Sequence, residues 1–281
     1  MKKSKNNMFL SVSKAMGLRY FQDHVGRSAA ELAYYMLFSV FPLLIFLNSV
    51  VSLLDISGDE LLTLWNRVLP EPVLKIIVDY VDYASGLQSR TLLYAGLFLT
   101  VYMLTRAVSS LMGSLMDAYR IESRGVIYTV LAFVFSVVAL AGLFVVLVLY
   151  MISGELLERL SEYIALSPGF IFIWRLLRMA LAPVLVFFLL TLLYYFVGRG
   201  YHSFAGAMPG AAFSLAAWLI ATMGFSYYMS NFSRYTVLYG SIGAMMLLML
   251  WLYWTGLVLI MGGELNYAIA TEKNKRKDFS I

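Results

Sequence analysis

The stretch YGSIGAMMLLMLWLYWTGLVLIMGGELN, residues 239–266, decides the fold of this chain. It carries no charged residue between Ser241 and Gly263. At a rise of about 1.5 Å per residue, a helix of this length crosses the roughly 30 Å of hydrocarbon in a bilayer. The stretch is therefore predicted to be a transmembrane helix. Any other segment exposed to lipid must also satisfy its backbone groups internally, so the chain is predicted to be all-α.

The composition indicates a polytopic membrane protein. Hydrophobic residues make up 61% of the chain and charged residues 13%, whereas soluble proteins average about 45–50% and about 25%. At roughly 40 residues for a span and its connection, 281 residues accommodate about six spans in one domain. The absence of Cys excludes disulfides, thiolate metal sites and a Cys nucleophile.

Apolar runs predict a six-helix transmembrane domain over residues 29–266, preceded by an N-terminal segment 1–28 and followed by a basic tail 267–281. The predicted spans are about 29–54, 92–116, 126–152, 179–197, 204–229 and 241–263. Lys and Arg outside the spans collect mainly on the side that holds both termini. The positive-inside rule therefore predicts that both termini are cytoplasmic, which requires an even number of spans.

Three connecting segments are predicted to contain amphipathic interfacial helices. The first is 1–28, where a basic helix either lies on anionic lipid or caps the bundle, and the sequence leaves these two alternatives open. The second is 55–91, and the third is 154–178, which Pro168 and Gly169 are expected to interrupt. The apolar face of the helix in 55–91 is expected to lie over the bundle.

Ionisable residues inside spans are the first candidates for function, because a charge in hydrocarbon is costly. Glu31 and Glu264 fall close to the predicted cytoplasmic boundary, where a structural role is favoured. Arg106 lies about 15 Å from the end of its span, near the bilayer centre. It is either part of a binding site for an anionic head group or an internally satisfied structural arginine.

The same residue count predicts a polar midplane layer around Arg106. Its other members would be Ser39, Ser136, Ser214 and Tyr253, one from each of four further spans. Pro42 cannot donate a helical hydrogen bond, so it should release the carbonyl of Phe38 at this depth.

Other kinds of site find no support in the sequence. The two histidines, His24 and His202, are far apart, and there is no Walker loop, Rossmann glycine pattern or Gly-x-Ser-x-Gly elbow. We therefore predict no catalytic residues, no metal and no cofactor. The basic clusters at the chain ends are explained by topology, so no nucleic-acid partner is predicted.

Several motifs resemble those of the YihY/virulence factor BrkB family of bacterial inner-membrane proteins, once labelled ribonuclease BN. They are AELAYYMLFSVFP at 30–42, Pro209-Gly210 followed by Trp218, YGSIGA at 239–244, LWLY at 250–253 and GGELN at 262–266. They occur in the same order over nearly the whole membrane region. The resemblance implies a six-helix protein of the bacterial cytoplasmic membrane without a settled activity.

The expected function is that of a permease or lipid-handling protein with a polar cavity for an amphipathic or anionic ligand. Membrane lipid is the expected partner. The ligand-binding residues would be Arg106, Ser39, Tyr253, Ser214 and Ser136. Tyr34, Pro42, Tyr239, Trp251, Glu264 and Asn266 would shape the cavity walls or gates. The alternative is an assembly partner in the cell envelope that docks through 55–91 and 154–175, and a membrane ribonuclease is a remote third. Oligomeric state is left open.

Overall fold

The computed structural model describes residues 2–53, 90–121, 125–163, 167–231 and 234–278, and within them every regular element is a helix. The seven helices are α1 Lys2–Gln22, α2 Val25–Leu53, α3 Arg90–Ala118, α4 Val126–Tyr163, α5 Pro168–Val197, α6 Phe204–Asn231 and α7 Arg234–Asp278.

Six of these helices are long and apolar enough to cross a membrane. The candidate spans are Val25–Leu47, Leu93–Ala118, Val126–Leu149, Gly169–Val197, Phe204–Tyr228 and Met245–Lys273. They confirm the prediction of an all-α protein with six transmembrane helices. The side of the membrane on which the termini lie stays a prediction.

Three helices extend far beyond the predicted spans, and one of them, α7, covers Arg234–Asp278 where the prediction is 241–263. Helix α5 begins at Pro168, so the Pro168-Gly169 pair starts a membrane helix and does not interrupt an amphipathic one. Ser167 caps this start by accepting a hydrogen bond from the Phe170 N–H, and proline suits a first helical turn because that N–H needs no helical partner. Helix α4 continues to Tyr163, past the predicted end at 152. Nearly all of the segment 55–91 lies outside the described residues.

Helix α7 lies at the centre of the packing and contacts α1, α2, α3 and α6. The chain otherwise packs mainly in sequence order, with α2 on α3, α3 on α4, α4 on α5 and α5 on α6. The main core contains Leu32, Leu115, Tyr194 and Ile260, all with at most 1% of their surface exposed. Helix α1 packs on α7 and α2, which is the arrangement of the capping alternative. We call the end of the bundle where α1 lies, and where α3 ends, the α1 end.

Helix α3 stops at the α1 end in a Schellman motif. The Ile121 N–H donates to the Met116 carbonyl at 2.9 Å, and the Arg120 N–H donates to the Asp117 carbonyl at 3.1 Å. Arg120 has φ +58°, the left-handed conformation that this motif normally gives to glycine. The turn brings the Arg120 guanidinium to 2.9 Å from Asp23 Oδ1, beyond the end of α1.

Replacing Arg120 separates the cost of this conformation from the value of the ion pair. Arg120→Gly and Arg120→Ala both lose the contact with Asp23, but only glycine adopts positive φ without steric penalty. We expect the Gly variant to have a free energy of unfolding about 1 kcal/mol higher than the Ala variant. Denaturation of the purified protein in detergent measures the difference, and an Ala variant that is equally stable contradicts the assignment.

Candidate functional site

A cluster of four charged residues occupies the α1 end, and we call it the ionic cluster: Arg19, Asp23, Arg120 and Glu264. Arg19 Nε donates to Glu264 Oε2 at 2.5 Å, and its Nη2 lies 3.3 Å from Asp23 Oδ2. The Glu264 side chain is fully buried and the Asp23 side chain is 4% exposed. The cluster therefore joins the end of α1 to the interior of α7.

Further contacts hold Arg19 in position. Its Nη2 donates to the Ala118 carbonyl, one of the last carbonyls of α3, which lack a partner within their own helix. Its Cζ lies 4.2 Å from the ring centroid of Tyr267, in cation–π geometry. A single guanidinium thus links α1, α3 and α7.

Glu264 is buried because the two glycines before it let neighbouring chains approach closely. A Cβ on Gly263 would lie 2.1 Å from Leu115 Cδ2, and one on Gly262 would lie 1.9 Å from Ser214 Oγ. A side chain at Gly262 would also meet the Gly210 backbone carbonyl and push α6 away from α7, whereas one at Gly263 would displace the Leu115 side chain. The GGE sequence therefore carries the carboxylate into the packed interior, where it needs a cationic partner.

An aromatic layer borders the ionic cluster. The buried Tyr119 hydroxyl and His202 Nε2 are 3.0 Å apart, and the Tyr119 ring packs against Tyr201 and Tyr267. Burial raises the pKa of Tyr119 above its usual range and lowers the pKa of His202, so both are neutral at neutral pH. Tyr119 and His202 therefore add no formal charge to that of the ionic cluster.

Polar contacts continue from the cluster along the boundary between α6 and α7, which we call the α6–α7 seam. Asn266 Oδ1 accepts from the Gly210 N–H at 2.7 Å, and Asn266 Nδ2 donates to the Ala207 carbonyl at 3.0 Å. Ser214 Oγ donates to the Val258 carbonyl at 3.1 Å. The Tyr194 hydroxyl of α5 donates to the Leu259 carbonyl at 2.6 Å and lies 2.9 Å from Ser214 Oγ. Asn266 and Ser214 are thus bonded within the seam.

The structure does not bring the predicted midplane layer together. Arg106 is exposed on α3, and its Nη2 donates to the Tyr35 hydroxyl of α2 at 3.2 Å. Ser39 and Ser136 are buried and donate to carbonyls of their own helices, those of Met36 and Ala132. Serine hydroxyls in helices commonly donate to the carbonyl three or four residues earlier. These two serines therefore bond within their own helices and do not contact Arg106.

The remaining predicted residues occupy separate places. Tyr253 lies with Tyr20 against Gly26, near the α1 end. Trp251 Nε1 donates to Thr222 Oγ1 across the α6–α7 seam at 3.4 Å. Tyr34 is exposed near Arg106, and Pro42 is half-buried within α2. The side chain of Tyr239 lies outside the described part of the structure. A role in binding or gating stays a prediction for each of them.

Sequence reasoning did not identify Arg19, Asp23 and Tyr194 as site residues. Arg19 and Asp23 belong to a segment interpreted as interfacial, where charges are expected to face water or head groups. Their spacing of four residues, followed by the helix break at His24, was the available signal. Tyr194 carries no such signal, because it is one of 20 tyrosines. Glu264 and Asn266 were selected as gate residues, and the structure gives both buried partners.

Within the described ranges, no group of three or more His, Cys, Asp or Glu side chains is placed to hold a metal ion. The fold and its interior define a class: a multi-pass membrane protein whose apolar helices are joined by a buried ionic cluster and a polar seam.

The chain belongs to the virulence factor BrkB family, whose model matches residues 17–280. It is 30% identical over 258 residues to YfkH of Bacillus subtilis, a protein named as ribonuclease-like, covering 91% of this chain and 94% of YfkH. It is 24% identical over 266 residues to a UPF0761 membrane protein of Xanthomonas axonopodis pv. citri, covering 91% of this chain and 60% of that protein. A UPF0761 membrane protein of Pseudoalteromonas translucida matches over 106 residues at 34% identity, 37% of this chain and 34% of its own length. No solved structure matches the chain. Membership of this family and the six candidate spans together show that the chain is a multi-pass bacterial membrane protein.

The α6–α7 seam predicts contrasting effects of two glycine substitutions in α6. A Cβ on Gly210 would lie 2.2 Å from the Gly262 carbonyl oxygen, whereas one on Gly224 would meet nothing within 4 Å. We expect Gly210→Ala to lower the free energy of unfolding by at least about 1–3 kcal/mol through overpacking, and Gly224→Ala to be neutral. Thermal unfolding in detergent compares the two, and equal stabilities would contradict the close crossing.

The ionic cluster predicts strong coupling between Arg19 and Glu264. Arg19→Met leaves a buried carboxylate without its partner and should cost about 3–5 kcal/mol. The double variant Arg19→Met/Glu264→Met removes both charges and should be more stable than Arg19→Met alone. A double-mutant cycle measures the coupling free energy, and additive effects of the two substitutions would show that the pair contributes nothing.

Proposed function

We propose that this protein is a permease or lipid-handling protein that binds the anionic head group of an amphiphile on the exposed surface between α2 and α3. The observation that carries the proposal is the position of Arg106. This guanidinium is exposed in the middle of a membrane span, and the Tyr35 hydroxyl is the hydrogen-bond partner that the described residues supply.

The depth of Arg106 makes its exposure costly. It lies twelve residues before Ala118, the end of its candidate span, or about 18 Å along the helix. A charged side chain at the centre of a bilayer costs at least about 2.5–3.5 kcal/mol unless it has a partner or access to water. A phosphate or carboxylate would offset this cost, because guanidinium groups bind both through paired hydrogen bonds.

The surroundings of Arg106 suit an amphiphile better than a small free anion. Tyr34 and Phe38 of α2 are exposed and their rings lie 4.7 Å apart. Phe98 and Tyr102 of α3, on the same helix as Arg106, are also exposed. Aromatic and apolar surface of this kind would contact acyl chains while the guanidinium takes the head group.

Tyr35 holds the guanidinium in place. Its hydroxyl accepts from Arg106, and its ring centroid lies 5.3 Å from Arg106 Cζ. Glu31, one helical turn before Tyr35, is exposed and interacts with Arg106 electrostatically. The Arg106 side chain thereby stays beside α2, and its remaining N–H groups bond to no other residue in the part of the chain that the structure describes.

Arg106→Gln tests the proposal, with Arg175→Gln as a matched control because Arg175 is also an exposed arginine at a candidate span, in α5. We expect Arg106→Gln to lower the amount of anionic lipid retained by the protein at least about tenfold relative to the native protein. This factor corresponds to the free energy of one charge-assisted hydrogen bond. Arg106→Lys should keep part of the binding, because lysine retains the positive charge but lacks the paired N–H groups of arginine. The control should bind as the native protein does.

Native mass spectrometry of protein purified from membranes containing phosphatidylglycerol measures the retained lipid. Titration with zwitterionic phosphatidylcholine in the same detergent establishes whether charge is selected. Equal retention of phosphatidylglycerol by the native protein and the Gln variant at 106, with both folded, would overturn the proposal.

A further inference from the structure

We infer that the ionic cluster binds one proton, shared between Glu264 Oε1 and Asp23 Oδ2. This site is separate from the surface around Arg106, because it is buried at the α1 end and Arg106 is not among its contacts. The inference therefore does not depend on the proposed ligand.

The first argument is the pattern of bonded and unbonded oxygens. Glu264 Oε2 accepts from Arg19, and Asp23 Oδ1 pairs with Arg120. Glu264 Oε1 and Asp23 Oδ2 are buried and have no hydrogen-bond partner among the described residues, although Oδ2 lies within ion-pair distance of Arg19. Both carboxyl groups lie against the same Arg19 guanidinium, with Glu264 Oε2 at 2.5 Å from Nε and Asp23 Oδ2 at 3.3 Å from Nη2. Two carboxylates repel at such range, whereas a proton between them makes one a donor and the other an acceptor.

The second argument is the balance of buried charge. Arg19, Asp23 and Glu264 are largely buried and sum to one negative charge, whereas the Arg120 side chain is 58% exposed and screened by solvent. One bound proton makes the buried group of three neutral. Burying a net charge is much more costly than burying a neutral hydrogen-bonded group, so the packing favours the protonated state.

The neighbouring groups favour a proton over a metal ion. The Arg19 guanidinium contacts both carboxylates and would repel a metal cation, and Ca²⁺ or Mg²⁺ needs about six oxygen ligands. Among the described residues, the other titratable groups that face the cluster are Tyr119 from the turn after α3, Tyr267 from α7 and, through Tyr119, His202. Burial keeps the first and last of these neutral, so they do not supply the missing positive charge.

The proton is expected to control the docking of α1. Asp23 follows α1, and Glu264 lies in α7, so a shared hydrogen bond joins the two helices. Loss of the proton leaves two facing carboxylates with one buried arginine. Release of the proton should therefore loosen the contact between α1 and α7.

Infrared difference spectroscopy tests the site directly. We expect native protein in lipid to show the carbonyl stretch of a neutral carboxylic acid at neutral pH, and to lose it in alkaline buffer. The band should be absent from both Glu264→Gln and Asp23→Asn. It should persist in Asp117→Asn, a control carboxyl that is exposed at the same end of the bundle. A native spectrum without this band at neutral pH, or a band unchanged in both cluster variants, would overturn the inference.

Thermal stability gives a second readout. A folded state that binds a proton which the unfolded chain releases must lose stability as pH rises through the release. The melting temperature of native protein should therefore fall from neutral to alkaline pH. That of Glu264→Gln, which keeps a neutral group at the position, should fall less. The same pH dependence in both proteins argues against a shared proton, and Asp23→Asn provides the same comparison if the Gln variant does not fold.

Discussion

Burial of the Glu264 carboxylate is the constraint on which the α1 end of this protein depends. A charge inside an apolar helix requires a partner, and the partner is Arg19, which comes from the other end of the chain. The same guanidinium reaches the end of α3 through the Ala118 carbonyl. The cation that pairs with this one buried charge thus also holds α1 on α7 and caps a carbonyl at the end of α3.

Close helix approach makes that burial possible. Gly210 and Gly262 let α6 and α7 approach until backbone and side-chain polar groups bond across the seam. In a membrane the hydrophobic effect does not drive two apolar helices together, because lipid is as apolar as they are. Close packing and hydrogen bonds between the helices stabilise their association instead. The small residues therefore position Asn266, whose side-chain amide bonds two backbone groups of α6.

Two arginines illustrate how position changes the role of a charge. Arg19 is held by carboxylates, a carbonyl and an aromatic ring, and it connects helices. Arg106 is bonded to the Tyr35 hydroxyl and is exposed at mid-span. The first is part of the architecture, and the second is the basis of the proposed ligand site. A proton bound to the ionic cluster would change the charge balance around Arg19 without involving Arg106.

The sequence by itself determined the all-α class, the six spans and the family, and it singled out Glu264 and Asn266 as polar residues of the last span. These properties follow from local hydropathy, from motif identity and from the cost of a polar group in an apolar helix. Only the tertiary structure decided that Arg19 pairs with Glu264, 245 residues away, and that Arg106 is exposed beside Tyr35 of α2. Hydropathy gives the depth of a residue along a helix but not the direction in which its side chain points around the axis. That direction is decided by how neighbouring helices pack, which is why the five residues predicted at one depth did not meet.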